Sequence, residues 1–260
     1  MKAFDRVAVL LLNLCLAAAA ILLPALSLAA SPAYYAREFE RCGIYAEIGP
    51  LGEAVPTPIH YIGGDFRKTA TFSDEQLDAI AAHIIDFLFG DTEDFSLTMD
   101  GVMLNGSETD GVAIFGEAAI THMQDVRELM RLSQGVASVA TALLPLLLIY
   151  LILRRRATGK IALRYTLVFY AAVLILAALF CYFALRGAGG DYADAFWRAA
   201  HHLFFPFNPD KVAGSFFNDA LTSLLTLPLF MSAVYTVLFT FSLSLLLWLL
   251  LAIRLYRAAE

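Results

Sequence analysis

Apolar residues gather into four long runs in this chain: Val7 to Ala30, Val136 to Leu153, Tyr165 to Leu185, and Leu224 to Ile253. Each reaches the ~18 nearly uncharged residues that a helix needs to cross a bilayer. A different pattern lies between the first two runs. Ser73-Asp74-Glu75-Gln76 reads as a capping box opening a helix, with Leu77, Ile80, Ala81, Ile84 and Leu88 on one face until Gly90 stops it. Short runs such as Phe95 to Thr98 and Val112 to Phe115, set apart by Gly, Asn and Asp clusters, predict strands and turns. The expected fold class is therefore an α-helical integral membrane protein, with four transmembrane helices and a small α+β extracytoplasmic cap.

Composition agrees with the bilayer as solvent. The chain is 60% hydrophobic and only 16% charged, against roughly 25% charged for an ordinary soluble domain. Lys2 and Arg6 before the first run, and Ala29-Ala30-Ser31 after it, resemble a signal peptide. The run is longer than the roughly 7 to 15 residues of a signal core, so an uncleaved anchor is expected. Leu12-Asn13-Leu14 before Cys15 lacks the small residue of a lipoprotein cleavage site. Cys15, Cys42 and Cys181 are far apart and form no disulfide framework or CxxC pair.

Charge divides sharply along the chain. Arg154, Arg155, Arg156, Lys160 and Arg164 sit between the second and third runs with no acidic residue among them. By the positive-inside rule that hairpin is cytoplasmic. Lys2, Arg6, Arg254 and Arg257 put both termini on the same side. The segment from Ser31 to Gln134 then faces outward, and it holds 18 of the 24 acidic residues. The expected order is a span in 1–30, a cap in 31–134 leading into the second span at 135–153, and a cytoplasmic loop at 154–164. A third span at 165–185, an outer interfacial loop at 186–223, a fourth span at 224–253 and a tail at 254–260 follow. A net charge of −6 speaks against nucleic acid as a partner. The bilayer is the expected surrounding.

Two segments carry candidate chemistry. Thr121 to Arg127 belongs to an uninterrupted helical stretch that runs from Glu117 toward the second span. At 100° per residue His122, Asp125, Val126 and Leu129 share a face, so Asp125 is placed to accept a hydrogen bond from the imidazole. The plain alternative is an interfacial His and Asp on a solvated helix end. The second segment is Phe196 to Phe207, short, aromatic and hardly charged. As a helix it sets His201 over Trp197 and Phe205 while His202 points about 100° away. Its plain alternative is an aromatic membrane anchor with solvent-facing histidines. His83 reads as a surface residue and His60 as structural. A metal site is not expected, because HExxH, an i, i+4 His pair and a Cys/His cluster are all missing. No GxSxG elbow, P-loop or GxGxxG is present either, and no cofactor is expected. Pro24, Pro145 and Asn13 are slender evidence for a transporter.

At these histidine segments the sequence resembles the bacterial lipoprotein intramolecular transacylases, the Lit family. The matching pieces are Phe72-Ser73 with Glu75; His122-Met123 with Asp125-Val126 and Arg127; His201 with Leu203-Phe204-Phe205; and Asp219 followed by Leu227-Pro228 and Phe230. The number of spans, the loop order and the length agree as well. The resemblance implies a multi-pass protein of the bacterial cytoplasmic membrane whose substrate partner is a diacylglyceryl-modified lipoprotein. Two extracytoplasmic histidines would move the sn-2 acyl chain to the cysteine α-amino group, leaving a lyso-form lipoprotein. Carried over, the catalytic residues are His122 and His201, with Asp125 orienting His122. His202 departs from the family's single histidine and stays a possible second partner, and Asn208 to Phe217 lacks the family's Trp and Asp-Pro pattern. An imidazole suits this aminolysis because it takes and returns a proton near neutrality. Donor and acceptor share one substrate, so no acyl-enzyme nucleophile is required. Small residues such as Gly135 and Ala137 are expected to groove the spans for acyl chains. Readings from other classes are a non-enzymatic envelope scaffold and a metal-dependent lipid hydrolase.

Overall fold

The computed structural model describes residues 3–48, 50, 54–90, 92–185, 192–205 and 219–258. Four of its helices are long and apolar enough to cross a membrane: α1 (Ala3–Ala29), α4 (Glu117–Leu153), α5 (Arg155–Leu185) and α8 (Leu227–Arg257). The shorter helices are α2 (Pro32–Arg41), α3 (Asp74–Phe89), α6 (Tyr192–Phe204) and α7 (Ala220–Leu224). The stretch 155–164, expected as loop, is instead the first three turns of α5. Only Arg154 interrupts the helical run from α4. Its Arg, Ala, Lys, Ile and Leu residues are good helix formers, and one Gly159 does not offset them.

The chain divides into two compact units. The first contains residues 1–26, 132–196 and 233–260. Its core gathers Val9, Leu12, Leu151, Ile161, Ala162, Trp248 and Leu255, and a smaller cluster packs Cys15, Ala19 and Ala140. Ala137 is also buried, whereas a Cβ added at Gly135 would meet open space. Leu146, Leu174, Leu176, Phe239 and other large side chains are exposed, as on a surface made for lipid. Polar residues fasten the helices to one another. Trp248 Nε1 donates to Asn13 Oδ1 and to Thr166 Oγ1, both at 3.0 Å. Buried Asp5 accepts from the Tyr150 hydroxyl at 2.6 Å and pairs with Arg154 at 3.3 Å. Asn13 is thus an interhelical tie, satisfied in a setting where an unpaired polar group would be costly.

The second unit contains residues 27–131 and 197–232 and is mixed α and β. Strands β3 (Ile59–His60), β4 (Thr69–Thr71), β6 (Val102–Leu104) and β7 (Ser107–Thr109) form an antiparallel sheet in the order β3-β4-β6-β7. β5 (Thr98–Met99) pairs with β8 (Val112–Ala113), and β1 (Glu47–Ile48) with β2 (Ala54–Val55). Asn105 and Gly106, at φ 50° and 82°, make the two-residue turn joining β6 to β7, the conformation that Asn-Gly favours in hairpins. Many of the acidic residues serve turns. Asp100 accepts the Gly111 N–H at 2.8 Å and Asp110 the Gly101 N–H at 2.9 Å.

The capping box of α3 forms as the sequence predicts. Ser73 Oγ accepts from Gln76 N–H, and Gln76 Oε1 accepts from Ser73 N–H. Leu77, Ile80, Ala81, Ile84, Phe87 and Leu88 are buried. His83 is not the surface residue expected. It is half-buried, its Nε2 lies 3.1 Å from the Phe95 carbonyl, and its ring lies 5.6 Å from that of Phe95. On α2, buried Glu38 accepts from Arg41 Nε at 2.7 Å and from Ser232 Oγ at 3.0 Å, while Tyr34 donates to the Leu229 carbonyl at 2.6 Å. These bonds join α2 to the first turns of α8.

Candidate functional site

His122 lies in the second turn of α4. Gly116 supplies the carbonyl that accepts the first helical bond, from Ile120 N–H at 3.1 Å. Ala119, His122, Met123 and Arg127 are buried along one stripe, at the spacing that an amphipathic helix turns inward. Thr121, Gln124 and Glu128 are exposed on the other side. His122 therefore occupies a core position, only 6% exposed.

His201 lies on α6, and this helix brings it to His122. The two imidazoles are nearly parallel, with an interplanar angle of 23° and centroids 6.0 Å apart. Phe205, one turn beyond His201, closes the group. Its ring is 5.1 Å from His122, edge-on at 65°, and 5.8 Å from His201. Phe205 N–H donates to the His201 carbonyl at 2.8 Å, so the helical spacing that sets one ring over the other holds to the end of α6. The side chain of Trp197, the other expected neighbour of His201, lies outside the described residues, as does the stretch Asn208 to Phe217.

The neighbouring histidines part company. His201 is half-buried, whereas His202 is exposed, beside exposed Leu203 and Phe204. Asp125 is half-buried on α4, and among the described residues no hydrogen bond joins it to His122. Burial, and next the adjacent His201, push the His122 pKa down from 6.5 to about 4. The imidazole is thus neutral at pH 7, in the form that accepts a proton.

Arg127 stacks its guanidinium over the Phe87 ring at 4.8 Å and reaches the Gly90 carbonyl at the end of α3 at 3.5 Å. It braces α4 against α3, a favourable place for a cation. No group of three or more His, Cys, Asp or Glu side chains suited to a metal ion occurs among the described residues.

Two residues named in the resemblance take on structural roles here. Phe205 becomes the wall of the histidine pair, a role implicit in its i+4 spacing from His201. Asp219, 1% exposed, accepts Gly116 N–H at 2.9 Å and Leu221 N–H at 3.1 Å. An Asp before Ala-Leu-Thr signals a helix cap, which Asp219 is for α7. Its bond across 103 residues to Gly116 has no sequence signature.

No curated protein and no solved structure matches the chain. The family model described as lipoprotein intramolecular transacylase Lit matches residues 11–211, a span holding both histidine segments. A match over well over half of the chain shows that this protein belongs to the lipoprotein intramolecular transacylase family, Lit.

Proposed function

We propose that this protein moves the sn-2 acyl chain of an S-diacylglyceryl-cysteine to the α-amino group of the same cysteine by histidine acid/base catalysis. The observation that carries the reading is the contact between the His122 and His201 rings, 79 positions apart in sequence. The amine nitrogen attacks the ester carbonyl and the bond from that carbon to the glyceryl oxygen breaks. One proton leaves nitrogen and one must reach the departing oxygen. His122, buried and neutral, takes the first and returns it, with His201 as its partner in the transfer. Acceptor and donor are held on one molecule, so proximity comes with the substrate.

Asp125 is assigned the lesser role of steadying the charged imidazolium through space, one turn along α4. His202, exposed, is left outside the proton path. The mixed α/β unit is read as extracytoplasmic, because the basic residues 154–164, Arg254 and Arg257 mark the opposite side as cytoplasmic. Exposed Leu203 and Phe204 then suit contact with the outer leaflet, where the acyl chains of the substrate lie.

Mass spectrometry of the N-terminal peptide of a reporter lipoprotein, made with and without this protein, tests the reading. The expected product has the mass of the diacylglyceryl form and one acyl chain resistant to ester hydrolysis. A peptide whose acyl chains are all still ester-linked would contradict it.

A further inference from the structure

We propose that Asp219 is a positioning residue for the His122–His201 pair. This rests on the reading under Proposed function. Its carboxylate is buried and held by backbone donors: Oδ2 accepts Gly116 N–H and Oδ1 accepts Leu221 N–H. Burial outweighs these bonds and pushes its pKa up, and no basic side chain pairs with it among the described residues. A buried carboxylate without a cation is a costly way to hold a loop. What it offers is two acceptor oxygens facing two directions, which Asn lacks.

The surroundings are built to the same fit. A Cβ on Gly116 would lie 2.9 Å from Asp219 Oδ2 and 3.0 Å from both the Cα and the N of Gly64. Gly64 itself sits at φ +75°, where any side chain is strained. Three segments meet here: the turn at Tyr61–Asp65, the entry to α4, and the start of α7. Gly116 is the residue whose carbonyl opens α4, so its N–H bond to Asp219 fixes the end of the helix that carries His122. Asp219 in turn caps α7, its Oδ1 accepting Leu221 N–H. One carboxylate therefore sets where the His122 helix starts relative to the turn at Tyr61–Asp65 and the start of α7. A shift of about 1 Å at such a pair is enough to lower turnover on the order of 10²-fold.

The test uses the full-length protein with Asp219→Asn, Gly116→Ala and their combination. Each single variant is expected to lower kcat about tenfold or more with KM nearly unchanged. The double variant is expected to be no worse than the poorer single, because both break one clamp. Gly116→Ala keeps the carboxylate, so it serves if Asp219→Asn fails to fold. A second readout does not need turnover: the NMR titration of the His122 imidazole, assigned with His122→Gln. In the clamp variants its pKa is expected to rise toward 6.5 as the packing loosens. Normal kcat in both singles, additive losses, or an unmoved titration would each overturn the positioning role. Wild-type protein without transacylase activity but with the titration shift would overturn the proposed reaction and leave the clamp standing.

Discussion

The Phe205 and His122 rings meet edge-on at 65°, with centroids 5.1 Å apart, while the same phenylalanine lies 5.8 Å from His201. An aromatic ring in that place keeps water from one side of both imidazoles and limits how far they turn. Phe205→Ala is expected to lower acyl transfer about tenfold or more, whereas Phe205→Tyr should keep most of it. Initial rates on a diacylglyceryl-cysteine peptide measure the difference, and equal rates in the wild type and Phe205→Ala would remove Phe205 from the site.

The depressed pKa of His122 also has a consequence for stability. The unfolded imidazole titrates near 6.5 and the folded one near 4, so between these values the unfolded state binds more protons. His122 therefore contributes its full stability above about pH 6.5, and that contribution is lost as pH falls toward 4. The Tm of detergent-solubilised protein should fall over this window, and His122→Gln, which cannot take the proton, should show a shallower fall. Identical slopes would contradict the buried neutral state.

Within the four-helix unit, Trp248 Nε1 reaches both Asn13 and Thr166. Replacing Trp248 with Phe keeps the ring and removes both bonds, at an expected cost of about 1 kcal/mol. Asn13→Leu breaks the same tie, so the double variant should melt close to the poorer single variant. Additive losses would show that the two residues act separately.

The assigned orientation is tested by cysteine labelling in intact cells. In a background without Cys15, Cys42 and Cys181, a cysteine at Glu93 should react with a membrane-impermeant maleimide. One at Lys160 should react only after permeabilisation. The reverse pattern would invert the topology.

Much of this architecture was legible from pattern alone, because four apolar runs and one capping box are local signals. The helix through His122 was legible too, since no Pro or Gly lies between Glu117 and Gln134. The basic stretch from Arg155 is helix rather than the loop its charge suggests, because helix propensity is indifferent to charge. The polar face of α3 suggests a surface place for His83, but the carbonyl and ring of Phe95, from beyond the end of α3, half-cover it. Local spacing alone does not show which of His201 and His202 lies beside His122. Spacing to Phe204 and Phe205 named His201, and the contact with His122 shows which neighbour turns inward. Asp219 enters the sequence reading only as a piece of the family resemblance; its bond to Gly116, across 103 residues, leaves no local pattern.

The central claim is that the His122–His201 pair performs the transfer. The most direct measurement is mass spectrometry of a reporter lipoprotein's N-terminal peptide from cells expressing equal amounts of wild type, His122→Ala, His201→Ala or His202→Ala. The expected result is lyso-form product with the wild type, none with His122→Ala or His201→Ala, and product reduced by no more than a few-fold with His202→Ala. Full conversion by either of the first two variants would contradict the account, and equal loss in His202→Ala would show that both neighbours are required.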